Sequence, residues 1–297
     1  MSGIGKLLVD PWYWVPAPPE DPLGARSPEV IADLLETIAF FVERWHETVV
    51  EGLENVPDGP ALLVGNHNGG TMAPDMFALM VAWWRRRGVE EPAYGLMHDA
   101  AFRLVPVGRM LSRLGAVPAH PDHARQLLRR GAKVLVYPGG DIDAYRPAAR
   151  RGEIVFGQRR GFVRVALRAG VPIVPVVSAG AHDALYIATD GRELVRKTGL
   201  KKLLRIEVLP VSFGLPWGVF LGTPPYLPLP VRMKVRVLEP MRWEGGPELA
   251  DDPDAVLRLR EEVRERMQAA LDEMIAEGRW GRRPLSGLFA RERTGRA

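Results

Sequence analysis

Three short apolar runs in this chain each end in a polar turn that carries glycine: "ALLV" runs into "GNHNGG", "KVLV" into "YPGG", and "PIVPVV" into "SAG". Apolar runs of this length, bounded by turn residues, read as strands covered on both faces. Segments of helical period lie between them. "APDMFALMVAWWRRRG" has Pro74 near its first turn, "HARQLLRRG" directly precedes the second run, and "RRGFVRVALRAG" stays helical up to Gly170. The alternation is that of an α/β fold, in which functional groups gather just beyond the carboxyl ends of the strands. Pro172 and Pro175, in the third run, point to an edge strand or a bulge.

Two amphipathic helices flank this core. "SPEVIADLLETIAFFVERWHETVVEGLENVP" opens on a Ser-Pro-Glu cap signal and places Ile31, Leu34, Leu35, Ile38, Phe41, Val42 and Trp45 at helical spacing, with Gly52 and Pro57 to close it. "PDAVLRLREEVRERMQAALDEMIAEG" is the second, over about 251–278, dense in paired charges. The expected organisation is a Pro/Trp-rich segment 1–27, a single domain 28–280 and a basic tail 281–297. There is no internal repeat.

Composition removes several classes of function. The 297 residues, 46% of them hydrophobic, suffice for a large core, and the absence of cysteine excludes disulfides, thiolate metal sites and thiol nucleophiles. No histidine pair has H-E-x-x-H spacing, so no metal is expected. The start has no apolar stretch followed by a cleavage site, and no segment nears the roughly 20 apolar residues that span a bilayer. A cytoplasmic location is expected. The net charge of +4 is small, but basic residues cluster in "WWRRRG" (83–88), "RPAARRGE" (146–153), "GQRRGF" (157–162) and "RKTGLKKLLR" (196–205). Such clusters suit nucleic acid, an anionic membrane or a phosphorylated small molecule. "WYWVPAPP" near the start and "FGLPWGVFLGTPPYLPLP" (213–230) read as apolar loops, either resting in a headgroup zone or covering the core.

The strand-end rule gathers Asn66, His67, Gly69 and Gly70 with the loop after the second run, Pro138 to Asp143, and with Ser178, Gly180, His182 and Asp183. A histidine is the usual general base near neutral pH, and a carboxylate on its second nitrogen fixes the tautomer. Asp75 lies eight positions beyond His67. On a straight helix that spacing is about 12 Å, too far for a hydrogen bond, so a pair requires Gly69 and Gly70 to bend the chain. The alternative is that Asp75 caps the helix and His67 bonds to backbone. His98, beside Asp99, is turned about 100° from it on a helix and forms no dyad. His46, His120 and His123 read as surface or capping residues.

The blocks "GLENVPDGPALLVGNHNGG" through "PD", "FRLVPVGRMLSRLGAVPA", "KVLVYPGGDIDAYRP", "GFVRVALRAGVPIVPV" and "LPLPVRMKVRVLEPM" follow one another over roughly residues 50–242. In this order they resemble the glycerolipid and lysophospholipid acyltransferase superfamily. The resemblance implies an α/β fold of the glycerol-phosphate acyltransferase type, a mixed central sheet flanked by helices. It implies His67 as catalytic base with Asp75 as its partner. Asn66, Gly69, Gly70, Tyr137, Pro138, Gly139, Gly140, Asp141 and Asp143 would line the acceptor site. Arg103 and Arg109, in the second block, would meet a phosphate of CoA or of the acceptor, or else are exposed helix arginines. Two features depart from the family pattern. The family's His-x4-Asp spacing is here lengthened to seven intervening residues, and "YPGGDIDA" is closer to the Pro-Gly-Gly-x-x-Glu-Ala of the diacylglycerol acyltransferase type, with Asp143 at the Glu position.

The implied chemistry is transfer of a fatty acyl group from acyl-CoA or acyl carrier protein, as co-substrate, to a lipid hydroxyl without further cofactor. The missing Thr-Arg of the phosphate-binding form favours a neutral acceptor such as a monoacylglycerol, a diacylglycerol or another long-chain alcohol. Direct transfer needs no protein nucleophile, and the chain has no G-x-S-x-G, P-loop or G-x-G-x-x-G. The partners implied are an acyl donor, a lipid acceptor and an anionic membrane surface at which the protein is peripheral; nucleic acid is not among them. Two further functions stay open on the same fold: a non-catalytic lipid or acyl-carrier binding protein, and a thioester or ester hydrolase.

Overall fold

A computed structural model describes residues 23–103, 105–198 and 208–282, apart from the side chains of residues 100, 103, 105 and 106. The Pro/Trp-rich residues 1–22, most of the 196–205 cluster and residues 283–297 lie outside the described residues.

The first helix, α1 (Pro28–Phe40), starts as its sequence dictates. The Ser27 hydroxyl accepts the Val30 N–H, and Pro28 takes the first position, where no N–H is missed. Its apolar face buries Val30, Ile31 and Leu34. The helix is shorter than its periodicity predicts: Phe41–Trp45 widen into a π turn, and Val49–Glu51 form strand β1. β-Branched Thr48, Val49 and Val50 favour that extended path. His46, expected at the surface, is buried.

Next come β2 (Ala61–Gly65), α2 (Pro74–Arg87), β3 (Ala93–Met97), α3 (Ala100–Arg103), α4 (Val105–Arg113), β4 (Ala116–Pro118), α5 (Pro121–Arg129), β5 (Lys133–Val136), α6 (Gly140–Ala144), α7 (Gly161–Ala169) and β6 (Ile173–Ala179). Beyond them lie β7 (Tyr186–Thr189), α8 (Arg192–Thr198), β8 (Val211–Gly214), β9 (Gly218–Leu221), β10 (Val231–Arg232), β11 (Lys234–Val237), α9 (Pro253–Ala276) and β12 (Gly281–Arg282). The main sheet runs β1-β11-β6-β2-β5-β3-β4. From β6 to β4 the strands are parallel, β11 is antiparallel to β6, and β1 is parallel to β11. The sheet is therefore mixed, as expected.

Alternation along each strand feeds two cores. Leu63, Leu135, Val174 and Val176 pack with α1 and α2, while Leu62, Val64, Val134, Ile173 and Val177 pack with α5, α7 and α9. Burial on both faces explains why these strands read as unbroken apolar runs. β6 is an interior strand, which corrects the edge reading of its prolines. Pro175 sits where the chain leaves the end of β11: its carbonyl still accepts Leu238 N–H at 2.9 Å, and the sheet goes without one donor at that last rung.

The carboxyl-terminal helix α9 is capped by Asp252, whose carboxylate accepts the N–H groups of Asp254 and Ala255. Val256, Val263, Met267, Leu271 and Met274 fill the core beside β6 and α7. Gly281 and Arg282, expected in the tail, instead pair with β10. The stretch 213–230, expected as loops, starts with the antiparallel hairpin β8–β9, which joins β7 in a three-stranded sheet. Among the described residues no helix is long and apolar enough to cross a membrane.

Candidate active site

Strand β2 lies between β5 and β6, so parallel pairing brings the ends of all three to one edge of the sheet. Asn66 fastens two of them. Its amide oxygen accepts Ser178 N–H at 2.8 Å and its nitrogen donates to Ser178 carbonyl at 3.1 Å. Asn66 is buried with its side-chain amide engaged in this way, so it holds the loop and does not face a substrate.

The chain then bends at Gly69 and Gly70, both left-handed with φ of 65° and 64°. A side chain at Gly70 would come within 2.6 Å of Tyr226 Oη and 2.9 Å of Leu185 Cδ2. Ala73 is also left-handed, at φ 37°, a costly conformation for a residue with a Cβ, and Pro74 then opens α2. The expected fold-back therefore takes place. What it brings together is Asn68 and Asp75: Asn68 Nδ2 donates to Asp75 Oδ2 at 2.9 Å, and Asp75 Oδ1 accepts Met76 N–H at 3.0 Å. Burial raises the Asp75 carboxyl to about 6, against the donors Asn68, Met76 and Ser178, which lower it.

Arg146 is the hub beneath the bend. Its guanidinium donates to Asn68 Oδ1 at 2.6 Å, His67 carbonyl at 2.9 Å, Asp143 carbonyl at 2.7 Å and Asp143 Oδ1 at 2.8 Å. Asp143 also accepts His67 N–H at 2.6 Å and Val155 N–H at 3.3 Å. Burial pushes this carboxyl up, to about 6, while Arg146 and the two N–H groups pull it down. Asp143, expected to bind the acceptor, is wholly buried and fully bonded, so it anchors the His67 loop to α6. His182 Nε2–H donates to Arg146 carbonyl at 2.9 Å, also in the buried layer. Arg146, Asn68 and His182 form a network that motif reading did not assign. In the sequence Arg146 is only the head of a basic cluster suited to nucleic acid, an anionic membrane or a phosphorylated small molecule; in the fold it is buried.

His67 differs from its neighbours. Its ring turns against Tyr137, with centroids 5.1 Å apart and planes at 46°. Nδ1 is sealed from solvent and has no hydrogen-bond partner, and Asp75 is not bonded to it. The residue is only half-buried, so the other edge of the ring is what a ligand can meet. Burial, and then the nearby Arg146 charge, lower the imidazole to about 4, with the Asn68 backbone and Asp141 opposing. At neutral pH the ring is uncharged and able to accept a proton. Burial also raises the Tyr137 hydroxyl well above its ordinary value.

The third block lies beside it. Arg159 Nη1 donates to the carbonyls of Pro138, at 3.2 Å, and Gly139, at 2.7 Å, and its Nη2 pairs with Asp141 at 2.8 Å. A side chain at Gly139 would strike Asp143 and Val155, and one at Gly140 would strike Arg159. Arg109 lies on α4, and the side chain of Arg103 is outside the described residues. Next to Asp75 along α2, Met76, Phe77 and Met80 face Met97, Leu111 and Leu114 across a narrow apolar cleft. Met80, Gly95 and Leu114 continue it into a second narrow cleft, walled by Trp83 and Trp84.

The stretch that builds this edge, residues 47–179, matches the family model described as acyltransferase. The match to the acyltransferase family thus covers residues 47–179. It runs from just before β1 to the end of β6 and includes His67, Asn68, Asp75, Asp143 and Arg146, while His182 lies just beyond it. An uncharacterised protein of Mycobacterium tuberculosis is 30% identical over 245 residues, 80% of this chain and 64% of that relative. The chloroplastic phytyl ester synthase 1 of Arabidopsis thaliana is 26% identical over 275 residues, 87% of this chain and 39% of its own length. A human protein named DGAT1/2-independent enzyme synthesizing storage lipids is 29% identical over 188 residues, 62% of this chain and 56% of that protein. The chain thus spans less than two thirds of the length of these relatives. Among solved structures, the 1-acyl-sn-glycerophosphate acyltransferase PlsC of Thermotoga maritima shares the fold at a TM-score of 0.51 and 18% identity, over 92% of this chain and 88% of that one.

Proposed function

We propose that the chain is an O-acyltransferase that moves a fatty acyl group from a thioester, acyl-CoA or acyl carrier protein, to the hydroxyl of a lipid acceptor, with His67 as general base. One observation carries the reading: within the stretch that matches the acyltransferase family, the neutral His67 ring offers a free edge at the end of β2 while Asn68, Asp75, Asp143 and Arg146 around it are bonded within the protein. The acceptor oxygen attacks the thioester carbonyl carbon, the C–S bond breaks, and His67 takes the hydroxyl proton and returns one to the departing thiolate. The apolar clefts along α2 are the surface against which an acyl chain would lie, and they would have to open to take it in. Asp75, held by Asn68 and Met76, serves to fix the bend that presents His67.

A neutral acceptor is favoured. Arg146 and Arg159, beside the bend, are already engaged with protein carbonyls and carboxylates. The names of two relatives, phytyl ester synthase and an enzyme synthesizing storage lipids, point the same way. The test is incubation with labelled acyl-CoA and a panel of neutral and phosphorylated acceptors, followed by identification of the product. An acylated neutral lipid is expected; loss of thioester with no acylated lipid overturns the reading.

A second reading rests on the unpartnered Nδ1 of His67: a non-catalytic lipid or acyl-carrier binding protein that keeps the fold and lacks the dyad. Lipid binding without transfer to any acceptor in the panel selects it.

A further inference from the structure

The three-stranded sheet β7–β9 has two unlike faces. Side chains on a strand alternate, and the pairings Tyr186 with Phe213, Phe213 with Val219, and Val211 with Leu221 put these residues on one side. Ile187, Ser212 and Phe220 share the other, where Ile187 and Phe220 pack with Leu185, Tyr145 and Tyr226. The outer side is covered by nothing among the described residues: Val219 is 73% exposed, Trp217 and Leu221 58% each, and Phe213 48%. Leu215, at the tip, is exposed as well. The Trp217 indole N–H is tied to Pro225 carbonyl at 2.5 Å, so its polar atom is satisfied while the ring stays in the open.

One cation lies on this face, and a basic helix follows its first strand. The Arg282 guanidinium lies 5.1 Å over the Tyr186 ring. Helix α8, which follows β7, brings Arg192, Arg196 and Lys197 against Asp190 and Glu193. A hydrophobic face with tryptophan and tyrosine, carrying Arg282 and followed in the chain by a helix with three cations to two acids, complements the headgroup zone of an anionic bilayer. The sheet is also joined to the candidate site. Leu227 N–H donates to Leu215 carbonyl at 2.8 Å, and its neighbour Tyr226 donates to the Gly69 carbonyl and accepts Met72 N–H at 3.2 Å. Met72, on the glycine bend itself, is exposed. The inner side of the sheet thus leans on the loop that carries His67.

We propose that the outer face of β7–β9 is the surface by which this chain docks on an anionic lipid bilayer, seating Phe213, Leu215, Trp217, Val219 and Leu221 at the interface. This deepens the acyl-transfer reading, on which it rests only for the idea that the acceptor is drawn from that bilayer. Docking there holds the glycine bend one thin layer of protein away from the lipid.

The full chain is sedimented with vesicles of phosphatidylcholine alone and with added phosphatidylglycerol, beside a Trp217→Ser/Val219→Ser/Leu221→Ser variant. These side chains are more than half exposed, and an unchanged melting temperature confirms that the variant folds. The expected result is binding that strengthens with phosphatidylglycerol and drops about tenfold or more in the variant. Its turnover should fall on a vesicle-borne acceptor and hold on a monomeric, short-chain one. Equal sedimentation of the two forms overturns the proposal. So does a wild-type dimer in vesicle-free solution that the substitutions break, since the face would then belong to a second copy. If docking follows the expected pattern while no form transfers acyl groups, the surface stands and the acyl-transfer reading falls.

Discussion

His67 and Asn68 are neighbours in sequence and opposites in the fold. Asn68 is buried, donates to Asp75 and to Asn66 carbonyl, and accepts from Arg146. His67 has one nitrogen sealed off with no partner and one open edge. The contrast separates two duties that a motif merges. Polar groups whose bonds are made within the protein hold the loop in shape, and the group that combines unused capacity with an open edge is the one that can react. Asp75 falls on the holding side of that line.

The comparison breaks most severely at Arg146. Arg146→Met strips the buried Asp143 carboxylate of its charge partner and frees Asn68 and the His67 carbonyl, and should cost about 3–5 kcal/mol in urea unfolding. A loss near zero would mean that the network is ornamental. Arg146→Lys should recover only part of the loss, since an ammonium cannot serve these acceptors in one fork.

The next effect is read in pH. The His67 ring has a folded value of about 4 against an ordinary 6.5, so its contribution is present above pH 6.5 and is lost as pH falls toward 4. Asp75 runs the other way: raised from 3.8 to about 6, it favours the fold at low pH and loses that advantage as pH rises through 6. His67→Ala removes only the first of these. Between pH 7 and 4 the variant should therefore gain on the wild type by about 3 kcal/mol, measured as unfolding free energy at each pH. A gap independent of pH would show that the ring is not held neutral by burial.

Smaller effects sharpen the line. Asn68→Ala leaves Asp75 without its side-chain donor and should cost about 1–3 kcal/mol, a loss that Asp75→Asn does not add to in full, because the two share one bond. Gly70→Ala meets both a left-handed backbone and Tyr226, and should cost about 1 kcal/mol or somewhat more in thermal unfolding. If Gly70→Ala is neutral, the bend is not fixed by that glycine.

Much of the fold was legible because both sheet faces are buried. Leu62 and Leu63 must then both be apolar, and the run "ALLV" announces itself. The glycine bend could also be foreseen, since an eight-residue spacing could close only through positive φ. The exchange of Asn68 for His67 as the partner of Asp75 could not. It turns on which way each side chain leaves the end of β2, and Tyr137, from a strand far along the chain, takes the His67 ring. Arg146 was hidden for a related reason. An arginine in "RPAARRGE" looks like a solvated charge, and its burial depends on a His67 carbonyl 79 residues away. Likewise "FGLPWGVFLG" has the spacing of a hairpin only once β7 is there to pair with β8.

The central claim is that His67 does chemistry while the network beneath it does not. Its most direct test is acyl transfer by the wild type and by His67→Ala under identical conditions, with folding of both verified by circular dichroism. The expected result is a folded variant whose turnover is lower by about 10²–10⁴-fold. Unchanged turnover in His67→Ala would contradict the account.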